Sequence, residues 1–502
     1  MLREGGNAVD ACVAASLASW VAESPLTGAG GGGFMLIHRA RDRSTRVLDF
    51  FCTIPGLGGA AASAEMETVD VSFSGESTQV FRIGAASCAV PGTLLGLESA
   101  HRRFGVLPWK VLFEPAIALA RSGVEMTRPQ AYLHAILDLI LRHMPEGQSI
   151  YGQNGDRLAA GDTLVQADLA GTLELLAEEG SRAIYAGDIG RELVRHVQEH
   201  GGCITERDLA AFRVVRRRPV VAAFHGHELR ANPPPSAGGV LIGYGLRLLD
   251  RIGLGGAPGS TEAIDRLVSV QREQGRARDR RFARDLHRGG LARRLYGEEA
   301  LERAWARMQG GEPAEAEVGG PGGTTHISVV DGAGNAASLS VSTGSGSGVV
   351  VPGTGIQLNN MLGEFDVALT GGESPPGTRL TSGMAPSVVL HHGRPRLVVG
   401  SAGSLRLRGA IFQVIVNVAG HGLTVEEAIE RPRVHVEEPH VHCEGGHDAE
   451  ALDRLEAMGH DVVRWRRQNL YFGGVQGVEV REDGSLAAAG DPRRGGHGIV
   501  VE

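Results

Sequence analysis

The chain reads as a mixed α/β protein, on three observations. Residues 7–22 are small and apolar nearly throughout, which suits a buried helix. Two β-branched, alternating runs, Thr324–Asp331 and Asn335–Ser342, flank the Gly-rich turn Gly332-Ala333-Gly334, the pattern of a β-hairpin. Between and beyond them, segments with apolar residues at helical spacing recur along the chain. At 502 residues, 42% hydrophobic and 22% charged, the composition is that of a globular protein long enough for more than one domain. Glycine, at 74 residues, stands at about twice the usual frequency and implies many tight turns and close backbone approaches.

Taken in order, Asn7 or Asp10 stands near the start of the first helix, and Gly28–Gly33 is a tight turn feeding the strand Phe34–His38. A phosphate-loop reading of those glycines fails, because that fingerprint needs a strand before and a helix after, the reverse of the order here. Val47–Phe50 is the next strand, and residues 56–80 read as loop. From Val90 through Arg142 the spacing is helical, broken at Pro108, Pro115 and Pro129, and it continues at Asp168–Glu179 and Ile189–His200. Thr205 and Asp208 stand at capping-box distance. Pro219–Phe224 and His227–Leu229 form a hairpin, Gln271–Leu295 is an Arg-rich solvated amphipathic helix, and residues 309–323 form a mobile surface segment. Strands at Pro386–Leu390 and Leu397–Gly400, helices at Leu405–Val418 and Val425–Glu430, and strands at Val475–Arg481 and Gly498–Val501 complete the chain.

Composition excludes several classes. A net charge of −8 argues against nucleic acid as a partner. No run of 18 uncharged apolar residues predicts a membrane span. Cys12, Cys52, Cys88, Cys203 and Cys443 are scattered without paired spacing and read as small hydrophobes rather than a disulfide framework. His435, His440, His442, Cys443 and His447 match no common zinc spacing and read as a polar surface strand, so no metal or cofactor is expected.

In the central hairpin, setting Asp331 opposite Asn335 places Thr324 opposite Ser342, within reach of a shared hydrogen bond; a bulge at Gly334 would shift that register by one. Upstream, Gly319-Gly320-Pro321-Gly322-Gly323 leaves the Thr324 hydroxyl free to attack the Gly323 carbonyl. An N→O acyl shift there cuts the chain, and the freed amine, with an ordinary pKa of about 7.7–8.0, serves as base for its own hydroxyl.

Seven segments appear in family order: Gly5–Ala11, Gly28–Phe34, Val90–Thr93, Asn232–Gly239, Thr324–His326, Pro352–Asn360 and Gly400–Ser404. Through them the chain, from Met1 to about Arg494, closely resembles the gamma-glutamyltransferase family of N-terminal-nucleophile hydrolases. The resemblance implies an α+β, four-layer αββα sandwich. It implies Thr324 as nucleophile for cleavage at Gly323–Thr324 and then for substrate, with Ser342 orienting it and the Gly403 and Ser404 backbone N–H groups forming the oxyanion hole. It places Glu364 at the substrate α-amine and Ser382 and Gly383 at the α-carboxylate. The family also carries a strand before the first motif, so this sequence is expected to start late, with any export signal lost in the missing piece; the compartment is left open, and reads as cytoplasmic only for the sequence as given.

The chain departs from the family at its glutamate-selecting groups. Where the family has an Arg pairing with the α-carboxylate, this chain has Phe51, a loss of about 1.5–3 kcal/mol of charge-assisted binding. Gly383 replaces a hydroxyl, and Glu364 is one carbon longer than the family Asp. Arg46, Arg379 and Arg406 are candidate stand-ins. The segment between Phe365 and Ser382 is shorter than the family's lid and suggests a more open site, as in the related cephalosporin acylases. The sequence therefore reads as a self-cleaving amidohydrolase or acyltransferase acting on a gamma-glutamyl-like or related small-molecule amide, with water or an amine as acceptor. Its fragments, 1–323 and 324–502, would stay associated in one globule. A true gamma-glutamyl transferase and an unprocessed, non-catalytic scaffold remain open alternatives.

Overall fold

The computed structural model describes residues 1–73, 77–279, 281–310, 323–364, 374–403 and 406–501. Eleven strands build two antiparallel sheets: β1 (Gly32–Arg39), β2 (Ser44–Asp49), β3 (Val215–Arg217), β4 (Val220–Phe224), β5 (His227–Ala231), β6 (Gly323–Val330), β7 (Ala336–Gly344), β8 (Ser387–His391), β9 (Arg394–Ala402), β10 (Gly474–Val480) and β11 (Leu486–Gly490). The first sheet runs β6-β7-β1-β2-β3 and the second β4-β5-β8-β9-β10-β11.

Period-2 alternation explains how both faces of each sheet are covered. Along β1, Met35 and Ile37 point to a core shared with helix α1 (Ala8–Ala22), while Phe34 and Leu36 point between the sheets. Along β9, Leu397 and Val399 face the core under helices α2 (Gly238–Ile252) and α3 (Arg406–Ile415), while Val398 joins Phe34 and Leu36 in the intersheet layer. The result is the expected αββα stack. Helix α1 opens with the Asn7–Asp10 capping box, and its first turn is tied to the hairpin by Ala8 N donating to Asp331 Oδ2 at 3.0 Å.

Part of the intersheet seam is polar. His326 on β6 is buried, with Nδ1 2.8 Å from Ser340 Oγ and Nε2 2.9 Å from Ser328 Oγ. Ser338 Oγ donates across the seam to the Val399 carbonyl at 3.3 Å and accepts from Ser387 N at 3.1 Å. Burial holds His326 neutral, its pKa lowered to about 3. Gly400 on the facing strand makes room for the ring, because a Cβ there would lie 2.2 Å from His326 Cε1.

The structure revises several expectations. Residues within 56–80 are not all loop: Glu67–Phe73 and Ser77–Ile83 pair as a hairpin, an alternation masked in the sequence by its polar members. The arginine-rich stretch is three helices, Thr261–Arg276, Phe282–Arg288 and Leu291–Tyr296; Gly289 and Gly290, both at positive φ, divide the last two. The final strand is Leu486–Gly490 rather than Gly498–Val501, whose apolar side chains are exposed. Cys12, Cys52, Cys88 and Cys443 are buried. The histidine segment is only partly a surface strand: His440 is exposed beside Asp461, whereas His435 is buried and His442 accepts from Trp465 Nε1 at 3.1 Å. Most of the 309–323 segment and part of the 365–382 loop lie outside the described residues. Among the described residues no helix is long and apolar enough to cross a membrane.

Gly400→Ala is expected to destabilise the protein by about 1–3 kcal/mol through overpacking against His326, read as a lowered thermal midpoint. His326, His38, His134 and His447 are all lowered, to about 3 for the first and about 4 for the others, from 6.5. The unfolded chain therefore binds more protons than the folded one between those values, so the stability held above pH 6.5 drains away as pH falls toward 4. A urea midpoint that stayed flat over that interval would contradict neutral, buried histidines.

Candidate active site

The register of the β6–β7 hairpin is the one expected from Thr325 to Val330, with Thr325 opposite Val341 and Val330 opposite Ala336. The turn closes with Gly334 at φ 82° and introduces no slip in the ladder. The slip comes at the other end, between Gly323 and Thr325, where Gly323 pairs with Gly344. Thr324 is therefore the residue at which the ladder is irregular.

This slip redirects Ser342. Instead of meeting the Thr324 hydroxyl, Ser342 Oγ donates to the Gly323 carbonyl oxygen and accepts from Gly344 N at 2.8 Å. The hydroxyl thereby polarises the carbonyl of the Gly323–Thr324 peptide bond. Thr324 and Ser342 are 4% and 2% exposed, so this contact works away from bulk water. Thr325, pointing to the opposite face, donates from Oγ1 to Glu23 Oε2 at 2.5 Å and pins the strand to the end of α1.

A cavity opens beside Gly323, lined by Leu26, Phe81, Leu133, Ile136, Leu137 and Leu470, together with Ser345, Gly403, Arg406 and Arg494. Gly403 follows β9 at φ 132°, where an L side chain is strained and a Cβ would stand 2.9 Å from Gly473 Cα. It borders the cavity that Gly323 borders; Ser404 lies outside the described residues. Glu364 Oε1 accepts from Ser345 N at 3.3 Å, which brings its carboxylate to the cavity's edge. Asn360 braces the same turn, accepting from Ser345 N at 2.9 Å and donating to Ser345 Oγ at 2.6 Å.

Ser382 and Gly383 are not among the residues lining this cavity. Ser382 Oγ accepts from Met384 N, its carbonyl accepts from Ala237 N and Ser236 Oγ, and the Gly383 carbonyl packs against Gly238. Phe51 is buried and stacked on Phe34 with ring centroids 5.5 Å apart. Of the three candidate cations, Arg46 is exposed and donates to its neighbour's carbonyl. Arg379 is tied down by the Phe51 and Arg213 carbonyls and by Asp49 at 3.4 Å, and it lies over Phe212. Arg406 alone of the three reaches the cavity, with its guanidinium 4.2 Å from the Tyr471 ring centroid.

Sequence reasoning missed Glu23, Ser345, Asn360 and Arg494. The first three lie within or near segments that were read as motifs or turns but carry no chemical pattern of their own. Arg494 stands in the Asp491-Pro492-Arg493-Arg494 stretch, whose arginine pair was the available signal.

The gamma-glutamyltranspeptidase family model matches residues 1–501. The acylase ACY 1 proenzyme of Pseudomonas sp. (strain SE83) is 34% identical over 531 residues, covering 100% of this chain and 90% of that protein. The glutathione hydrolase proenzyme of Escherichia coli (strain K12) is 32% identical over 521 residues, covering 98% and 87%. The crystal structure of cephalosporin acylase from Bacillus halodurans superposes with a TM-score of 0.84 at 23% identity, covering 100% of this chain and 92% of that one, a likeness of fold.

Removing a hydroxyl that polarises a reacting carbonyl costs about 10²–10³ in rate in comparable sites. Ser342→Ala is accordingly expected to slow any scission at Gly323–Thr324 by about 10²-fold, followed by gel densitometry after expression, with Ser342→Thr closer to wild type. Equal rates for Ser342→Ala and wild type would remove Ser342 from the chemistry.

Proposed function

The chain belongs to the gamma-glutamyltranspeptidase family, and on that premise we propose that it cuts itself before Thr324 and then works as an N-terminal-threonine amidohydrolase. The observation that carries this reading is the Gly323 carbonyl, fixed by Ser342 at a slip in the ladder and adjacent to the Thr324 hydroxyl.

Thr324 Oγ1 adds to the Gly323 carbonyl carbon, the bond to Thr324 N breaks, and that nitrogen takes the hydroxyl proton, leaving an ester. Water then hydrolyses the ester, which frees the Gly323 carboxylate and restores the hydroxyl beside a new α-amine. In turnover that amine accepts the proton of Oγ1 as the oxygen adds to a substrate amide, and the departing amine takes the proton away. The acyl group remains on Thr324 until water, or a second amine, removes it. The Gly403 N–H, at the edge of the same cavity, is suited to stabilising the oxyanion of both reactions.

The relatives' names divide between acylase and glutathione hydrolase. Hydrolysis of an amide other than a gamma-glutamyl one is favoured here, since Phe51 is sealed into the intersheet core and Arg379 already has its partners.

Mass spectrometry of purified protein is expected to show two associated fragments in place of one 52.8 kDa chain, the smaller beginning at Thr324. Thr324→Ala should give one uncut, inactive polypeptide with an unchanged melting profile. Scission of that variant at the same bond would reassign the attacking group.

A further inference from the structure

The end of the sandwich remote from Thr324 holds a second cavity, of about 450 Å³. Four strand-to-strand turns wall it: β1–β2 at Ala40 and Arg43, β6–β7 at Asp331–Gly334, β8–β9 at Gly393 and β10–β11 at Gly484. His38 pairs with Ala336 at the opposite end of β1 from the Gly32–Ser342 pair, which puts it about 20 Å from Ser342 at the usual strand rise. Two residues on from Leu36, the His38 side chain shares the intersheet face. Val330, Val480 and Leu486 of that layer give the cavity an apolar floor.

His38 is fully buried, and its ring carries an unused hydrogen-bond donor. Nδ1 lies 3.0 Å from Thr45 Oγ1, which accepts from Arg230 Nη1 at 2.9 Å. Among the described residues Nδ1 is the one acceptor within reach of the Thr45 hydroxyl, so the hydroxyl donates to it and the ring's proton stands on Nε2. Burial, and after it the Arg230 charge, lower the His38 pKa to about 4, which leaves the ring neutral at pH 7. Nε2 has no partner among the described residues, and a buried donor left unpaired is the costly case. Two guanidinium groups line the same space. The Arg43 stem crosses Gly393, where a Cβ would lie 3.3 Å from its Cδ, and Arg394 follows directly. Among the described residues neither guanidinium forms an ion pair or a hydrogen bond. The carboxylates nearby are engaged. Asp331 in the wall accepts from Ala333 N, Asn335 N and Ala8 N at 3.0, 2.9 and 3.0 Å, while Asp42 and Glu228 pair with Arg39 and Arg230.

We infer that this cavity binds a small organic carboxylate, its head held by Arg43, Arg394 and the His38 Nε2–H and its apolar body lying on Val330, Val480 and Leu486. A carboxylate satisfies all three donors at once, whereas an ammonium would meet two like charges. The site is independent of the chemistry at Thr324, since the two cavities share no residue.

Isothermal titration calorimetry of the purified protein with hexanoate, its neutral isostere hexanamide and inorganic phosphate tests the assignment. Hexanoate should bind at least tenfold more tightly than hexanamide, and more tightly than phosphate, which cannot use the apolar floor. Arg43→Gln and Arg394→Gln should each weaken hexanoate at least fivefold and leave hexanamide within twofold. Both side chains are exposed, so these variants should keep the wild-type melting profile. Crystals soaked in 6-bromohexanoate give the same reading without any variant: the bromine should appear in this cavity, with a carboxylate oxygen about 3 Å from His38 Nε2. Equal affinity for hexanoate and hexanamide, or no binding of hexanoate, would overturn the assignment. So would affinity unmoved by both arginine variants, or bromine found only beside Gly323, since either would put the acid at another site. Tighter binding of phosphate than of hexanoate would replace the organic acid with a bare oxyanion and overturn the ligand class.

Discussion

One slip of strand register governs this molecule. Along β6 and β7 the ladder is regular until the Gly323–Thr324 bond, and there a single residue falls out of step. A regular ladder would leave Ser342 facing Thr324 side chain to side chain. The slip instead turns Ser342 onto the carbonyl preceding Thr324, so that one buried hydroxyl both accepts from Gly344 N–H and donates to the Gly323 carbonyl. Irregular pairing is a frequent device for aiming a group at a reactive position. The Thr325–Glu23 hydrogen bond ties the strand to the end of α1 one residue beyond the slip.

The slip is tolerated because the rest of the hairpin is over-determined. His326, Ser328, Ser338 and Ser340 form a polar strip inside an apolar sandwich, each hydroxyl or ring nitrogen satisfied by another or by a backbone group of the facing sheet. Purely aliphatic faces can slide over one another, whereas hydrogen-bonded faces have one alignment. The strip therefore sets the height of the first sheet relative to the second, and with it the place at which β9 ends beside Gly323.

Much of this was legible in the residues. The hairpin register from Thr325 to Val330, the helix capped by Asn7 and the strand pair around residues 387–402 follow from alternation and capping chemistry, both local properties. The location of the irregularity was misjudged, because Gly334 advertises a bulge in the turn while the actual slip falls at the other end, at Gly323, where the glycine run reads as a flexible approach rather than as part of the ladder. The hairpin at Glu67–Ile83 escaped notice because its exposed positions are polar and diluted the signal. The arginine at 494 escaped for a different reason: its position depends on Arg493, Glu444 and Asp491, residues brought together only by the tertiary fold. Of the three cations considered as replacements, only neighbours in space, Asp49 and the Phe51 carbonyl for Arg379, reveal which are already engaged.

The strand order carries one more implication. In the first sheet β1, β2 and β3 precede residue 323 while β7 and all of β6 beyond its first residue follow it, and in the second β4 and β5 precede it while β8 to β11 follow. A backbone severed between Gly323 and Thr324 would leave every rung of both sheets in place, with two polypeptides woven through each other. Such a molecule could not come apart by dilution as an ordinary dimer does, and separation would demand tearing open both sheets. Having assembled as one chain, it would face a two-body search to assemble again, so the scission would convert a reversible fold into one held by its history.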